Sequence, residues 1–80
     1  MKITLKYFGV IAEIMGSEIE VLNIKSQSMT IMDLNELIVE KNNLLKDQHY
    51  KFAVNQTMID ENIALKENDE IALLPPFSGG

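Results

Sequence analysis

The stretch "EIALLPPFSGG", residues 70–80, joins two different kinds of chain at one point. Residues 70–74 read as a strand. Ile71 and Leu73 share one parity, Ala72 and Leu74 the other, so both faces of the strand are apolar. Pro75 and Pro76 then remove two N–H donors and hold the chain extended, so the strand cannot continue as a ladder. The six residues from Pro75 onward, Pro75, Pro76, Phe77, Ser78, Gly79 and Gly80, reach roughly 20 Å at full extension. Gly79 and Gly80 carry no side chains and can enter a channel too narrow for any other residue. A carboxylate on such a thin arm can be offered to another protein's active site. A frayed end is the commoner fate of a terminus. The double proline and the order of elements behind it favour a working tail here.

Upstream, the pattern is that of one α+β domain spanning residues 1–74, followed by the tail at 75–80. "KITLKYF", residues 2–8, alternates as a strand, with Ile3, Leu5 and Tyr7 on one side. "GVIAEIMG" follows as a short helical turn bracketed by Gly9 and Gly16. "EIEVLNI", residues 18–24, is a second strand that pairs back as a hairpin. Its apolar parity slips between Val21 and Leu22, which suggests a bulge or apolar contact on both faces. The main helix starts at Thr30, an N-cap with Asp33 three residues on, and stops near Asn42-Asn43. Ile31, Leu34, Leu37 and Ile38 form its apolar stripe. Residues 50–56 are a third strand, a short strand or turn follows around Met58 and Asp60–Asn62, and residues 70–74 close the domain. One helix with strands before and after it predicts a mixed sheet with the helix on one face. The order matches the ubiquitin-like β-grasp, which would place residues 70–74 parallel to residues 3–7 at the centre.

Composition narrows the function. The 80 residues carry seven lysines, no arginine, twelve acidic residues and a net charge of −5. That balance argues against nucleic acid, which needs clustered basic residues, and against an anionic membrane surface. It suits a protein partner with a basic patch. With no cysteine, neither a disulfide nor a thiolate metal site is possible, and one histidine excludes the usual zinc ligand sets. No leader pattern follows Met1, and no apolar run approaches a membrane span, so a cytoplasmic location is expected. His49 has no nucleophile–base arrangement around it and reads as a surface residue. Asp33, Glu36 and Glu40 read as a solvated helix face. "NQT", residues 55–57, matches a glycosylation sequon but reads as a tight turn.

One further constellation points to a partner. Phe8 falls in line with Lys2, Thr4 and Lys6, not with the apolar parity of its strand. With the first and last strands adjacent, Phe8 and Leu74 would form an apolar patch at the root of the tail, with Met58 as a third contributor. A rimmed apolar patch of this kind marks a protein partner, though isolated exposed apolar residues are ordinary.

The chain resembles the small subunits of molybdopterin synthase, ubiquitin-like sulfur carriers. The resemblance runs its whole length. It is strongest in "FAVNQTMIDENIALKENDEIALLPPFSGG", residues 52–80, and extends to "YFGVIAEIMG" near the start. Ala12 stands where many relatives carry a basic residue, and Phe77 is bulkier than the small aliphatic residue common there. The resemblance implies that Gly80 is adenylated by a ubiquitin-activating-like enzyme using ATP and converted to a thiocarboxylate. It implies that the charged tail docks in the large subunit, within a heterotetramer of two large and two small subunits, where sulfur passes to cyclic pyranopterin monophosphate. The carrier itself would bind no cofactor and show no turnover. Two alternatives stay open: a sulfur carrier for another pathway such as thiamine, and a β-grasp interaction module or conjugation tag.

Overall fold

The computed structural model describes residues 1–76. Five strands and two α-helices follow one another as β1 (Lys2–Tyr7), α1 (Gly9–Met15), β2 (Ile19–Asn23), α2 (Ile31–Lys41), β3 (Lys51–Val54), β4 (Thr57–Ile59) and β5 (Glu70–Leu74). The strands form one sheet in the order β2-β1-β5-β3-β4. β1 and β5 run parallel at its centre, with Leu5 beside Ile71 and Tyr7 beside Leu73. The other pairings are antiparallel. This is the mixed β-grasp sheet that the element order predicts.

The core lies between the sheet and α2. Ile3, Leu5 and Tyr7 of β1 and Ile71 and Leu73 of β5 are buried on one face, against Ile11, Ile31, Leu34 and Ile38 from the helices. The alternation in β1 makes this possible, because side chains on a strand change face at every residue. The stripe on α2 falls as its period requires: Ile31, Leu34 and Ile38 are buried, and Leu37 packs beside them. Thr30 caps α2 as expected. Its Oγ1 accepts from the Asp33 N–H, and the Asp33 carboxylate accepts from the Thr30 N–H at 3.0 Å, completing the capping box.

Four details refine the sequence reading. β1 stops at Tyr7, and Phe8 becomes the N-cap of α1, which is a seven-residue helix and more than a turn. β2 contains no bulge. Its register with β1 is continuous, so the parity slip marks apolar residues on both faces of the sheet. Asn42 ends α2 and at once starts a 3-10 helix, Asn43–Asp47, that buries Leu45; the sequence reading placed only a stop there. The segment around Met58 resolves into a strand, β4, joined to β3 by a two-residue turn.

Candidate functional site

The site is built around the end of β5. Leu74 is the last residue of the sheet, half-buried, and Pro75 and Pro76 follow without strand structure. Pro75 is half-buried and Pro76 exposed. The expected tail residues Phe77, Ser78, Gly79 and Gly80 lie outside the described residues.

Two turns hold β5 in place from its other end. Asn55 and Gln56 join β3 to β4 with φ of +49° and +71°, the two-residue turn whose twist matches a hairpin. Asparagine tolerates that conformation, and glutamine adopts it at a cost. The cost is offset by the Asn55 side chain. Its Oδ1 accepts from the Glu70 N–H and its Nδ2 donates to Asp69 Oδ1, each at 2.9 Å. Asp69 is buried, and its Oδ2 accepts from the Lys66 N–H at 2.7 Å. The "NQT" stretch is therefore a clamp on the start of β5. The sequence shows a turn asparagine and, apart from it, "NDE" at 68–70, with no local signal that pairs them.

The face of the sheet opposite the helices is where the expected partner residues sit. Lys6, Ala72, Ala53 and Met58 face one another across β1, β5, β3 and β4, and Ile19 of β2 extends the row beside Lys6. Leu74 shares the parity of Ala72 and pairs with Lys51. Phe8, still extended in backbone, continues the parity of Lys6 next to it. Phe8 is 45% exposed and Met58 52%. Phe8 and Leu74 each follow directly on the last paired residues of the two strands, Tyr7 and Leu73, at the tail root. Met58 lies two strands away on the same face, in an edge strand, and not at a turn as the sequence suggested. Ile19, 58% exposed, and Val21 also lie on this face and were not anticipated; their parity opposite Leu22 was the available signal. An ion pair crosses the face, Lys6 Nζ to Glu70 Oε1 at 2.9 Å.

Beneath the tail root the core face carries a polar brace. The Tyr7 hydroxyl donates to Glu20 Oε1 at 2.7 Å, and Lys41, at the end of α2, donates to Glu20 Oε2. Lys41 holds the Glu20 carboxyl below its ordinary range, and the Tyr7 bond adds to the effect. Burial, more than the neighbouring carboxylate, pushes the Tyr7 hydroxyl well above its ordinary value.

Elsewhere the surface offers little chemistry. A groove of about 650 Å³ runs between α2, the 3-10 helix and β3, floored by Val39, Leu45, Tyr50 and Phe52, on the helix side of the sheet, with Phe52 paired to Leu73 near the end of β5. His49 on its rim is exposed. Among the described residues, no cluster of His, Asp and Glu is placed to hold a metal. No helix among them is long and apolar enough to cross a membrane.

The model of the ThiS family matches residues 5–80, almost the whole chain. The chain belongs to the ThiS family. A relative of this ThiS-family chain, the molybdopterin synthase sulfur carrier subunit of Drosophila yakuba, is 44% identical over 57 residues, covering 65% of this chain and 62% of that protein. The match thus spans somewhat less than two thirds of that relative's length. Among solved structures, SAMP1 of Haloferax volcanii superposes with a TM-score of 0.83 at 24% identity over all of both chains. That likeness shows the fold. A structure of subunits 1 and 2 of molybdopterin-converting factor from Helicobacter pylori contains a chain that matches with a TM-score of 0.69 and 29% identity, again over all of both chains.

Proposed function

We propose that this ThiS-family chain is the sulfur carrier of molybdopterin biosynthesis, with Gly80 as the residue that carries the sulfur. The observation that supports it is the course of β5. The strand is locked at the centre of the sheet, clamped at its start by Asn55 and Asp69, and runs directly into Pro75-Pro76. That is a rigid base for an arm that must reach into other proteins, and pre-extension by proline lowers the ordering cost of docking. The relative of known function carries sulfur for molybdopterin synthase, and the converting-factor structure pairs a similar subunit with a second one.

The chemistry follows from the carboxylate. Alone it is a poor acyl donor, because oxide is a poor leaving group. A ubiquitin-activating-like enzyme spends ATP to join Gly80 to AMP, with release of pyrophosphate. The terminal sulfur of an enzyme persulfide then attacks the acyl carbon and displaces AMP, giving an acyl disulfide. A second thiol attacks the inner sulfur of that S–S bond, is itself left in a disulfide, and releases a thiocarboxylate, ionised at neutral pH and strongly nucleophilic. The large subunit of molybdopterin synthase receives the charged tail and applies that sulfur to cyclic pyranopterin monophosphate, in a heterotetramer of two subunits of each kind. Phe8, Leu74 and Met58 form the docking patch, and Ile19 and Val21 extend it along the same face. The carrier contributes no bond-making side chain. These steps belong to the cytoplasm, where ATP and cysteine persulfides are available.

The test is the intact mass of the chain isolated from its own cells. The expected species is heavier than the plain chain by the difference between a sulfur and an oxygen atom, maps to Gly80, and vanishes on deletion of Gly80. Only the plain carboxylate, even with activating enzyme, sulfur donor and ATP supplied, would overturn the proposal. A thiocarboxylate that forms but is not consumed by the large subunit and the pyranopterin would redirect the carrier to another acceptor.

A further inference from the structure

Two parallel neighbours end at the same edge of the sheet, and they cannot leave it along the same line. Tyr7 is in register with Leu73. The next residues along the two strands are Phe8 and Leu74, and after them Gly9 lies against Pro75. β1 is the chain that turns aside. It does so at Gly9, whose φ of +55° lies in the left-handed region and leads directly into α1. β5 goes straight on into the two prolines.

The proline ring occupies the space that a side chain at residue 9 would fill. A Cβ placed on Gly9 would stand 3.0 Å from Pro75 Cγ and 3.9 Å from Pro75 Cδ. Gly16 makes the useful contrast. It also has a positive φ, +76°, yet a Cβ there would meet nothing within 4 Å. At Gly16 glycine serves the backbone turn alone. At Gly9 it serves the turn and also leaves a seat for Pro75. Pro75 is half-buried and Pro76 is exposed, so among the described residues this seat is the last point at which the fold holds the chain. Both prolines have φ fixed near −65°, so a change of direction at Pro75 passes to Pro76 with fewer torsions to absorb it.

We propose that Gly9 is a positioning residue for the tail: by seating the Pro75 ring against its bare backbone, it sets the direction in which the arm leaves the sheet. The seat itself is a statement about this fold. Its consequence for sulfur loading rests on the carrier reading given above.

The test uses the full chain. A nuclear Overhauser contact between the Gly9 Hα protons and the Pro75 ring is expected; its absence overturns the seat, whatever the protein's function. Gly9→Asn then fills the seat with a residue that tolerates a left-handed backbone, so the turn is retained. With the activating enzyme and ATP, the expected result is a fall of roughly tenfold in kcat/KM for pyrophosphate release, since displacement of a reacting group by about 1 Å can cost more than that. Gly9→Asp, which also tolerates a left-handed backbone, is the second variant, should Gly9→Asn fold poorly, and is expected to show a comparable fall. The deciding measurement is the double variant. Pro75→Ala removes the ring carbon that the new side chain meets, so it should restore part of the rate lost in Gly9→Asn. A simple multiplication of the two losses, or no loss in Gly9→Asn, would overturn the proposal. If the unaltered chain is never adenylated, the carrier reading falls while the Overhauser contact still decides the seat.

Discussion

The Tyr7 hydroxyl and the Glu20 carboxylate, on adjacent strands of the hairpin, meet at 2.7 Å under the root of the tail. Lys41 reaches the same carboxylate from α2. Glu20 occupies a core-facing position of β2, across from Leu5, where an apolar residue would be the simple choice. Replacing it by alanine leaves the nearly buried Tyr7 hydroxyl without its acceptor, and Glu20→Ala should cost about 1–2 kcal/mol in urea unfolding. Tyr7→Phe combined with Glu20→Ala should cost less than the two changes taken separately.

The same pair predicts a pH dependence. Lys41 and Tyr7 lower the Glu20 pKa in the folded chain. Its contribution is therefore present above the ordinary carboxylate range, near 4.3, and is lost as pH falls through the lowered folded value. Tyr7 is shifted the other way. Its contribution is present below the ordinary tyrosine value, near 10, and is lost as pH rises beyond it. Melting curves across pH should show both limbs, and Glu20→Ala should flatten the acid one.

Asp69 accepts from the Asn55 side chain and from the Lys66 N–H in a buried site. Asp69→Ala strands both donors and should cost about 2–3 kcal/mol, a large part of the ~5–15 kcal/mol that holds a domain together. Asn55→Ala should reproduce part of that loss. In hydrogen exchange, both should loosen the amides of Glu70 and Ile71 before those of α2.

Leu73 is fully buried between β1 and β3. Leu73→Ala should destabilise by about 2–5 kcal/mol through lost contacts and the cavity left behind. Thr30→Ala, which removes only the cap of α2, should cost about 1 kcal/mol. Thermal or chemical unfolding of the two variants would order them.

On the outer face, Phe8→Ala and Met58→Ala should leave the melting temperature nearly unchanged, because both side chains are half exposed. Each should weaken association with the large subunit by about 1 kcal/mol or more, with Phe8 the larger. Calorimetric titration of purified subunits would measure it. Loss of affinity in neither variant would move the docking surface elsewhere.

Much of this was legible in the residues. The alternation of β1, the stripe and capping box of α2, and the two-faced apolar character of β5 each state their element through a local period; the sheet order does not follow from those periods and rested on matching the order of elements to the β-grasp. What was not legible depends on contacts between distant segments. The Asn55–Asp69 clamp looks in sequence like two unrelated polar turns. The burial of Asp69 is invisible until Asn55 is placed beside it. Met58 reads as a turn residue because β4 has only three residues, too few for alternation to register. The apolar outer face was half seen, since Phe8 and Leu74 break parity openly, whereas Ile19 and Val21 share a strand with Leu22 and Ile24 and so blur it. The 3-10 helix after Asn42 has too short a period signal to announce itself.

The placement of β5 also bears on when the arm can be used. Its strand is the last of the five to be synthesised, yet it takes the middle seat, between β1, the first of them, and β3. Until β5 arrives, β1 and β3 have no common neighbour and the sheet lies in two halves. Joining them requires closing nearly the whole length of the chain, a slow kind of contact. The strand that completes the fold is therefore the one that bears the arm. On the proposed function, a half-folded chain has no rigid base from which to offer its terminus, and an activating enzyme that grips the sheet face and the arm together would inspect the fold before committing ATP to it.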